Sequence, residues 1–153
     1  MQTAELEAYL HERIPLSRAM QVSVLEVGAE HLCVGAPLAP NINHRRTVFG
    51  GSASAAAMLA AWGLLYIRLH REGQPGRLVI QRSNMEFLEP IDDAFTATAR
   101  IATPDAWSRF TTALGRKGRA RIAVNVGLES RSVTVARFQG EFVALRPEPG
   151  TDD

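Results

Sequence analysis

The stretch NHRRTVFGGSASAAAMLAAWGLL, from Asn43 to Leu65, decides how the rest of the chain is arranged. It begins with an amide, an imidazole and two guanidinium groups, passes through Gly50 and Gly51, and carries no further charge until Arg68. Its alanines and Gly63 make the helix slim, and a helix that is apolar all round must be covered on most of its sides. We therefore predict one long central helix that is entered from a polar loop.

Strand patterns lie on both sides of this helix. Alternating or continuous apolar runs favour strands at 22–27, 32–38, 78–87, 95–101, 110–114, 120–128, 133–138 and 142–145. Gly115 to Gly118 is typical of a hairpin turn, while Thr3 can cap a short N-terminal helix that Pro15 ends. About six or seven strands around one helix predict an α+β fold, in which a curved antiparallel sheet wraps around the long central helix.

Composition narrows the classes of protein further. The 153 residues fit a single domain, 1–153, with a tail at 147–153 that we expect to fray. The formal charge of +1 gives no reason to expect a nucleic acid or an anionic membrane as a partner. No signal peptide is visible, and the apolar run 53–67 is too short for a membrane span. A single cysteine, Cys33, suits a reducing cytoplasm, where we expect the protein to be located.

Three segments carry a resemblance to a known family. Asn43 to Gly51, NHRRTVFGG, resembles the loop-to-helix entry of hot-dog acyl-CoA thioesterases, where an Asn precedes Phe-Gly-Gly across a short polar stretch. The segments 59–65, LAAWGLL, and 87–90, FLEP, add a resemblance to the YiiD C-terminal-domain family of thioesterases. This resemblance implies a hot-dog fold, an acyl-CoA or acyl-carrier-protein thioester as substrate, no cofactor, and a homodimer or a dimer of dimers.

The resemblance places the catalytic groups at the start of the central helix. The first N–H groups of a helix lack partners, and the macrodipole adds roughly half a positive charge there. Gly50 and Gly51 carry no side chain that would keep a thioester carbonyl away from these donors. Asn43 would orient the attacking water, and His44 would support proton transfer. From the residues alone, the glycines could equally form a tight turn, and Asn43 and His44 could be ordinary loop residues.

Further residues are candidates for binding the substrate. Arg45 and Arg46 could face nucleotide phosphates, as could Arg116 and Lys117, although loop cations often pair with nothing. Phe49 belongs to the motif that carries the resemblance. In hot-dog dimers the strand after the helix approaches the partner's helix, so Ser83 and Asn84 could complete a site across the interface. The polarity of an exposed strand explains both nearly as well.

One departure from the family keeps other functions open. Several hot-dog thioesterases carry a carboxylate about two turns into the central helix, where this chain reads Ala55 to Leu59 without any acid. The alternative is therefore a noncatalytic acyl-CoA-binding module. A hot-dog hydratase or dehydratase is less well supported, because the expected acid and histidine spacing is missing. The four histidines show no metal-ligand spacing, so we expect no metal.

Overall fold

A computed structural model describes residues 1–150, which contain four α-helices and six strands. The helices are α1 (Thr3–Arg13), α2 (Pro15–Ala19), α3 (Gly50–Arg71) and α4 (Ala106–Lys117). The strands are β1 (Ser23–Val27), β2 (His31–Ala36), β3 (Arg77–Phe87), β4 (Phe95–Ile101), β5 (Arg119–Ser130) and β6 (Val133–Leu145). A 3-10 turn, Ala39–Asn41, leads from β2 into the polar loop before α3.

The six strands form one curved antiparallel sheet around α3. Their order is β1-β2-β4-β5-β6-β3, and every neighbouring pair is antiparallel. The predicted α+β architecture with one long central helix is therefore confirmed. Strand β3 pairs with β6 and lies at the edge of the sheet, so it forms no hairpin with β4, the next strand along the chain.

The central helix is a core element. Eleven of its residues, between Ala53 and Leu69, are buried. At Gly63 an added Cβ would lie 2.6 Å from Leu32 Cδ2, so the glycine lets the sheet approach the helix closely. The helix extends beyond the apolar run 53–67, and its 22 residues with a mean hydropathy of 1.3 are long and apolar enough to cross a membrane by length and composition alone. Burial of 61% of that apolar window is what marks it as the helix of a protein core.

The two edges of the sheet differ. At the β1 edge, Glu7 Oε2 accepts the Val24 N–H at 2.9 Å, and His11 Nε2 lies 2.7 Å from Val22 O, which accepts its proton. Glu7 and His11, one turn apart on α1, thus form hydrogen bonds with backbone groups at this edge that would otherwise lack partners. At the other edge, β3 is exposed along most of its 11 residues. Open edge strands invite pairing with a further strand.

The strand predicted at 110–114 is wrong, because these residues belong to α4. Trp107, Phe110 and Leu114 follow helical spacing and are all buried. Trp107 Nε1 donates to Glu72 at 2.7 Å, and the Arg68 guanidinium lies 4.2 Å from the centre of the Trp107 ring. Burial lowers the pKa of Arg68 from its ordinary value, while Glu30 and Glu72 oppose that shift. The expected hairpin tip is instead the C-terminus of α4, with Gly118 in the left-handed region at φ 69°.

Three smaller predictions also need correction. Gln2 is the N-cap residue of α1, and its N–H donates to Glu5 at 2.8 Å, so Thr3 is the first helical residue and does not cap the helix. The two strands expected around Gly140 are one continuous β6. Gly140 has no side chain, and the rings of Phe138 and Phe142 fill the space beside it. Of the tail expected to fray, 147–150 forms no helix or strand, and 151–153 lies outside the described residues.

Candidate functional site

The polar loop before α3 is a small closed hairpin. Ile42 and Val48 form an isolated antiparallel bridge at its base, and the Asn43 N–H donates to Thr47 O at 2.8 Å. The Val48 N–H donates to Ile91 O at 2.7 Å, which fastens the loop to the segment that follows β3. These bonds hold the loop in one place relative to the entrance of α3.

The amide of Asn43 is committed to this loop. Its Oδ1 accepts the N–H of Arg45 at 2.9 Å and the N–H of Thr47 at 3.1 Å. Its Nδ2 donates to Thr47 Oγ1 at 3.0 Å. A carbonyl oxygen has two lone pairs, so these contacts occupy the acceptor that would hold an attacking water. In this conformation Asn43 positions the loop.

The three candidate residues at the loop tip point to solvent. His44, Arg45 and Arg46 are all exposed, and the described residues contain no carboxylate in ion-pair contact with either arginine. Arg46 has a φ of 63°, a left-handed conformation that costs a non-glycine residue free energy. The hairpin therefore presents an imidazole and two guanidinium groups on a fixed, slightly strained tip.

The entrance of α3 leaves two N–H groups available. Phe49 O accepts the N–H groups of Ser52 at 2.9 Å and Ala53 at 3.1 Å. Across the described residues, the N–H groups of Gly50 and Gly51 have no hydrogen-bond acceptor. The first turn carries no acidic side chain that would neutralise its partial positive charge. The two sequence-predicted glycines thus provide adjacent donors at a positive helix end.

Two aromatic rings flank these donors. A Cβ added to Gly51 would overlap the ring of Phe49, whose side chain is 58% exposed. A Cβ added to Gly50 would lie 3.2 Å from Phe87 Cζ, at the end of β3. Any side chain at either glycine would therefore have to move a ring. Phe49, predicted as a binding residue, does lie at the helix entrance.

An apolar cavity opens beside the next turns of the same helix. It has a volume of about 330 Å³, within the usual range of small-molecule pockets. Helix α3 contributes Ala55, Met58, Leu59 and Trp62, and its other walls come from the α1–α2 junction, β3 and β6. Ala55 comes one turn after Gly51. The sequence does not predict this cavity, because an apolar face that lines a cavity has the same residue pattern as one that is fully packed.

Ser83 and Asn84 lie on opposite faces of β3. Ser83 is in register with Gly140, which belongs to the buried, helix-facing side of β6. Asn84 is in register with Gln139, whose side chain donates to Asn125 on the outer face at 3.0 Å. Only Ser83 therefore shares a face with α3. The structure separates two residues that the sequence grouped together.

Asn41 is a residue of this region that sequence reasoning did not single out. Its side chain is 2% exposed, and its Nδ2 donates to Met20 O at 2.9 Å and to Pro37 O at 2.8 Å. Its backbone oxygen accepts the Phe49 N–H at 2.8 Å. Asn41 thus anchors the residue before Gly50 to the body of the protein. In sequence it looks like any turn residue that follows Pro40.

Comparisons with known proteins agree with this architecture. Residues 3–146 match the family model described as "Putative thioesterase (yiiD_Cterm)". A protein of unknown function from Chlorobaculum tepidum superposes with a TM-score of 0.87 at 26% identity, covering 95% of this chain and 94% of that one. A Shewanella oneidensis protein, described as a "putative thioesterase", superposes with a TM-score of 0.84 at 28% identity. The match covers 94% of this chain and 96% of that one.

A third structure shows how widely the fold extends. A Pseudomonas aeruginosa protein of unknown function, described as a probable thioesterase, has a TM-score of 0.80 at 15% identity and covers 96% of this chain and 97% of that chain. At that identity the likeness concerns the hot-dog fold alone. The family match extends from the first helix to the end of the last strand, and the chain therefore belongs to the YiiD C-terminal-domain family, described as "Putative thioesterase", with a hot-dog fold.

Proposed function

We propose that the protein hydrolyses an acyl thioester at the N-terminus of α3. The observation that carries this proposal is the pair of unpartnered N–H groups at Gly50 and Gly51. They lie one turn from an apolar cavity that can take an acyl chain. Preorganised donors aimed at a developing negative charge supply a large share of catalysis in acyl transfer. An acyl-CoA or an acyl-carrier-protein is the substrate class.

The reaction follows from this arrangement. The thioester carbonyl oxygen accepts hydrogen bonds from the Gly50 and Gly51 N–H groups, and water attacks the carbonyl carbon. The attacking water gives up one proton as its oxygen bonds to the carbonyl carbon. The carbon–sulfur bond then breaks, the acyl group leaves as a carboxylic acid, and the sulfur takes up a proton and leaves as a thiol. Because α3 contains no carboxylate, the group that accepts the water proton lies outside this helix.

The residues of the polar loop have different roles in this reaction. Asn43 holds the hairpin in place and so acts as a positioning residue, because its amide is already bonded to Arg45 and Thr47. His44 is the candidate proton carrier, since it is exposed on the tip that Asn43 fixes. Arg45 and Arg46 are candidates for the phosphates of a CoA substrate.

The functional unit is a homodimer formed through β3. One sheet edge is closed by Glu7 and His11, whereas β3 is exposed and carries Ile80 at its surface. If two β3 strands paired antiparallel across a twofold axis, the open edge of both copies would be covered. This pairing would also bring the partner's strand toward the α3 entrance, because Phe87 already lies against Gly50.

Free-thiol release from a panel of acyl-CoA and N-acetylcysteamine thioesters tests the activity. The proposal requires turnover that depends on acyl length and is lost on heat denaturation. Saturable acyl-CoA binding without thiol release would instead establish the noncatalytic acyl-binding module, which the missing helix carboxylate supports. A cytoplasmic location, suggested by the single Cys33, stays a prediction.

A further inference from the structure

Positive charge is concentrated in one segment of the chain. Residues 106–121 contain Arg109, Arg116, Lys117, Arg119 and Arg121 and no carboxylate. The whole chain has 17 cations and 16 carboxylates, so the remaining residues carry 12 cations against 16 carboxylates. A protein with a net charge near zero therefore has a local charge of +5 within 16 residues.

The fold brings a further cation into this cluster. Leu145 is in register with Arg77 on one side and with Arg119 on the other, so the two arginines flank it on the same face of the sheet. Arg121 follows two residues later on that face. The end of α4 is fastened beside them, because Arg146 Nη2 donates to Gly115 O at 2.6 Å. We call the surface formed by Arg77, Arg116, Lys117, Arg119 and Arg121 the basic face.

The charges of the basic face are not balanced within the described chain. All five side chains belong to exposed residues, and across residues 1–150 none lies within ion-pair distance of a carboxylate. Arg82 and Arg131, by contrast, pair with Glu141 and Asp92. Cations in the last turn of α4 complement its dipole, which accounts for Arg116 and Lys117. The three arginines on strands need another explanation.

The shape of the basic face distinguishes between anionic partners. Trp107 and Phe110 of the same segment are buried, so the face has no aromatic rings on which nucleic-acid bases could stack. The cations extend across a helix end and three strands, whereas the phosphates of a single nucleotide would be held by a few converging groups. A broad, exposed positive surface fits the acidic surface of a folded protein, which it can steer at long range.

Dimerisation through β3 would place the basic face next to a reaction site. Arg77 begins β3, and Phe87, which lies against Gly50, ends it. When two such strands pair antiparallel along their length, the Arg77 end of one copy lies beside the Phe87 end of the other. Arg77, Arg119 and Arg121 lie on the outer face of the sheet, so the basic face of each copy then meets the α3 entrance of its partner across the shared β3 edge.

We infer that the basic face docks an acidic carrier protein that delivers its phosphopantetheine thioester to the α3 entrance of the partner copy. This inference rests on the proposed thioesterase function and on the proposed dimer. In this proposal the thioester arrives on a carrier protein. Free CoA, whose phosphates would need only local contacts, is the competing source of the same thioester.

The test compares three substrates with the same acyl group, carried by acyl carrier protein, by CoA and by N-acetylcysteamine. The variant is Arg119→Glu/Arg121→Glu, and Arg13→Glu/Arg18→Glu on α1 and α2 is the control with the same change in net charge. For the basic-face variant, the ratio of kcat/KM for the carrier-borne substrate to that for the N-acetylcysteamine thioester should fall about tenfold or more. The control should keep the wild-type ratio.

Salt provides an independent measurement of the same contact. Raising salt from about 0.01 M to about 1 M shortens the Debye length from about 30 Å to about 3 Å, which should weaken the carrier reaction of the wild type far more than that of the variant. A wild-type ratio in the variant would overturn the inference. So would an equal fall for acyl-CoA, since the face would then bind nucleotide phosphates.

A binding measurement separates this inference from the proposed function. Carrier protein bearing the acyl group through a thioether cannot be hydrolysed, so its affinity reports docking alone. If the wild type hydrolyses none of the three thioesters, the proposed function fails. Weaker binding of this carrier to the Arg119→Glu/Arg121→Glu variant would still support docking, and unchanged binding would refute it.

Discussion

The ring of Phe87 lies over Gly50, so near that a Cβ there would be 3.2 Å from Phe87 Cζ. This contact joins the last residue of the exposed edge strand to the first residue of the central helix. The donors of the candidate site and the open edge of the sheet are therefore neighbours. A change at either one is expected to affect the other.

Gly51→Val should nearly abolish thioester hydrolysis while the protein stays folded. The new side chain would displace the Phe49 ring, which lies where the Cβ would be, and crowd the N–H donors. Loss of one oxyanion donor typically costs about 10²–10³ in kcat. Steady-state thiol release with circular dichroism measures both effects. A folded and fully active variant would show that the carbonyl binds elsewhere.

Asn43→Ala and Asn43→Asp should differ sharply. The alanine removes the acceptor for the Arg45 and Thr47 N–H groups, so we expect about 1–2 kcal/mol of lost unfolding free energy and reduced activity. The aspartate keeps an acceptor at the same place and should preserve the loop. Denaturant unfolding and kcat of both variants test this, with Thr47→Val as a milder control. If Asn43→Ala lowers kcat but leaves stability unchanged, the amide contacts the reacting groups after all.

Ile80→Lys should prevent the proposed dimer from forming. Ile80 is 39% exposed on the open edge strand, and a charge there would have to be buried on pairing. Leu25→Lys is the matched control, because Leu25 is 53% exposed on β1, the edge that α1 closes. Light scattering at micromolar concentration measures the mass of each variant. A wild type that is monomeric there would exclude a site shared between two copies.

If the proposed thioesterase function holds, Ala55→Leu should shorten the acyl chains that are hydrolysed. Ala55 lines the apolar cavity of about 330 Å³, so three added carbons would fill part of it. We expect kcat/KM for long acyl groups to fall, with acetyl thioesters much less affected. The ratio of kcat/KM for long acyl thioesters to kcat/KM for acetyl thioesters, measured on the same protein, serves as an internal control. Equal losses for all lengths would place the acyl group outside this cavity.

Two Gly→Ala substitutions should change stability in opposite directions. At Gly63 the added methyl would lie 2.6 Å from Leu32 Cδ2 in the core, and such overpacking typically costs about 1–3 kcal/mol. At Gly115, also helical, nothing lies within 4 Å of the new methyl, so the gain in helix propensity should stabilise by roughly 0.5–1 kcal/mol. Thermal or urea unfolding of both variants measures the difference. If both variants changed the free energy of unfolding by the same amount, Leu32 would be able to move away from the added methyl at Gly63 without cost.

Much of the architecture could be predicted because its signals are local. The apolar residues of α3 and the alternation in β4 and β5 each specify one element without help from the rest of the chain. The sequence predicts a strand in place of part of α4, because Thr111 and Thr112 favour strands and Gly115 is typical of a turn. The spacing of Trp107, Phe110 and Leu114 was the contrary signal.

The site was harder to predict because it depends on contacts between distant segments. Nothing around Asn43 in the sequence reveals that its amide closes a hairpin, since this depends on how residues 42 and 48 meet. Ser83 and Asn84 alternate between faces, but only the pairing of β3 with β6 shows which face meets the helix. The same pairing explains why β3 is an edge.

The order in which the chain is made exposes α3 to a particular risk. The strands that cover much of it, β4, β5 and β6, are all encoded after it. A ribosome that has finished residue 71 has therefore produced a 22-residue helix with no acidic residue and most of its eventual cover still unmade. Such surfaces are prone to aggregate or to recruit chaperones during synthesis. Nascent chains that stop before residue 95 should accordingly be insoluble, whereas the 153-residue chain encloses the same helix within its own sheet.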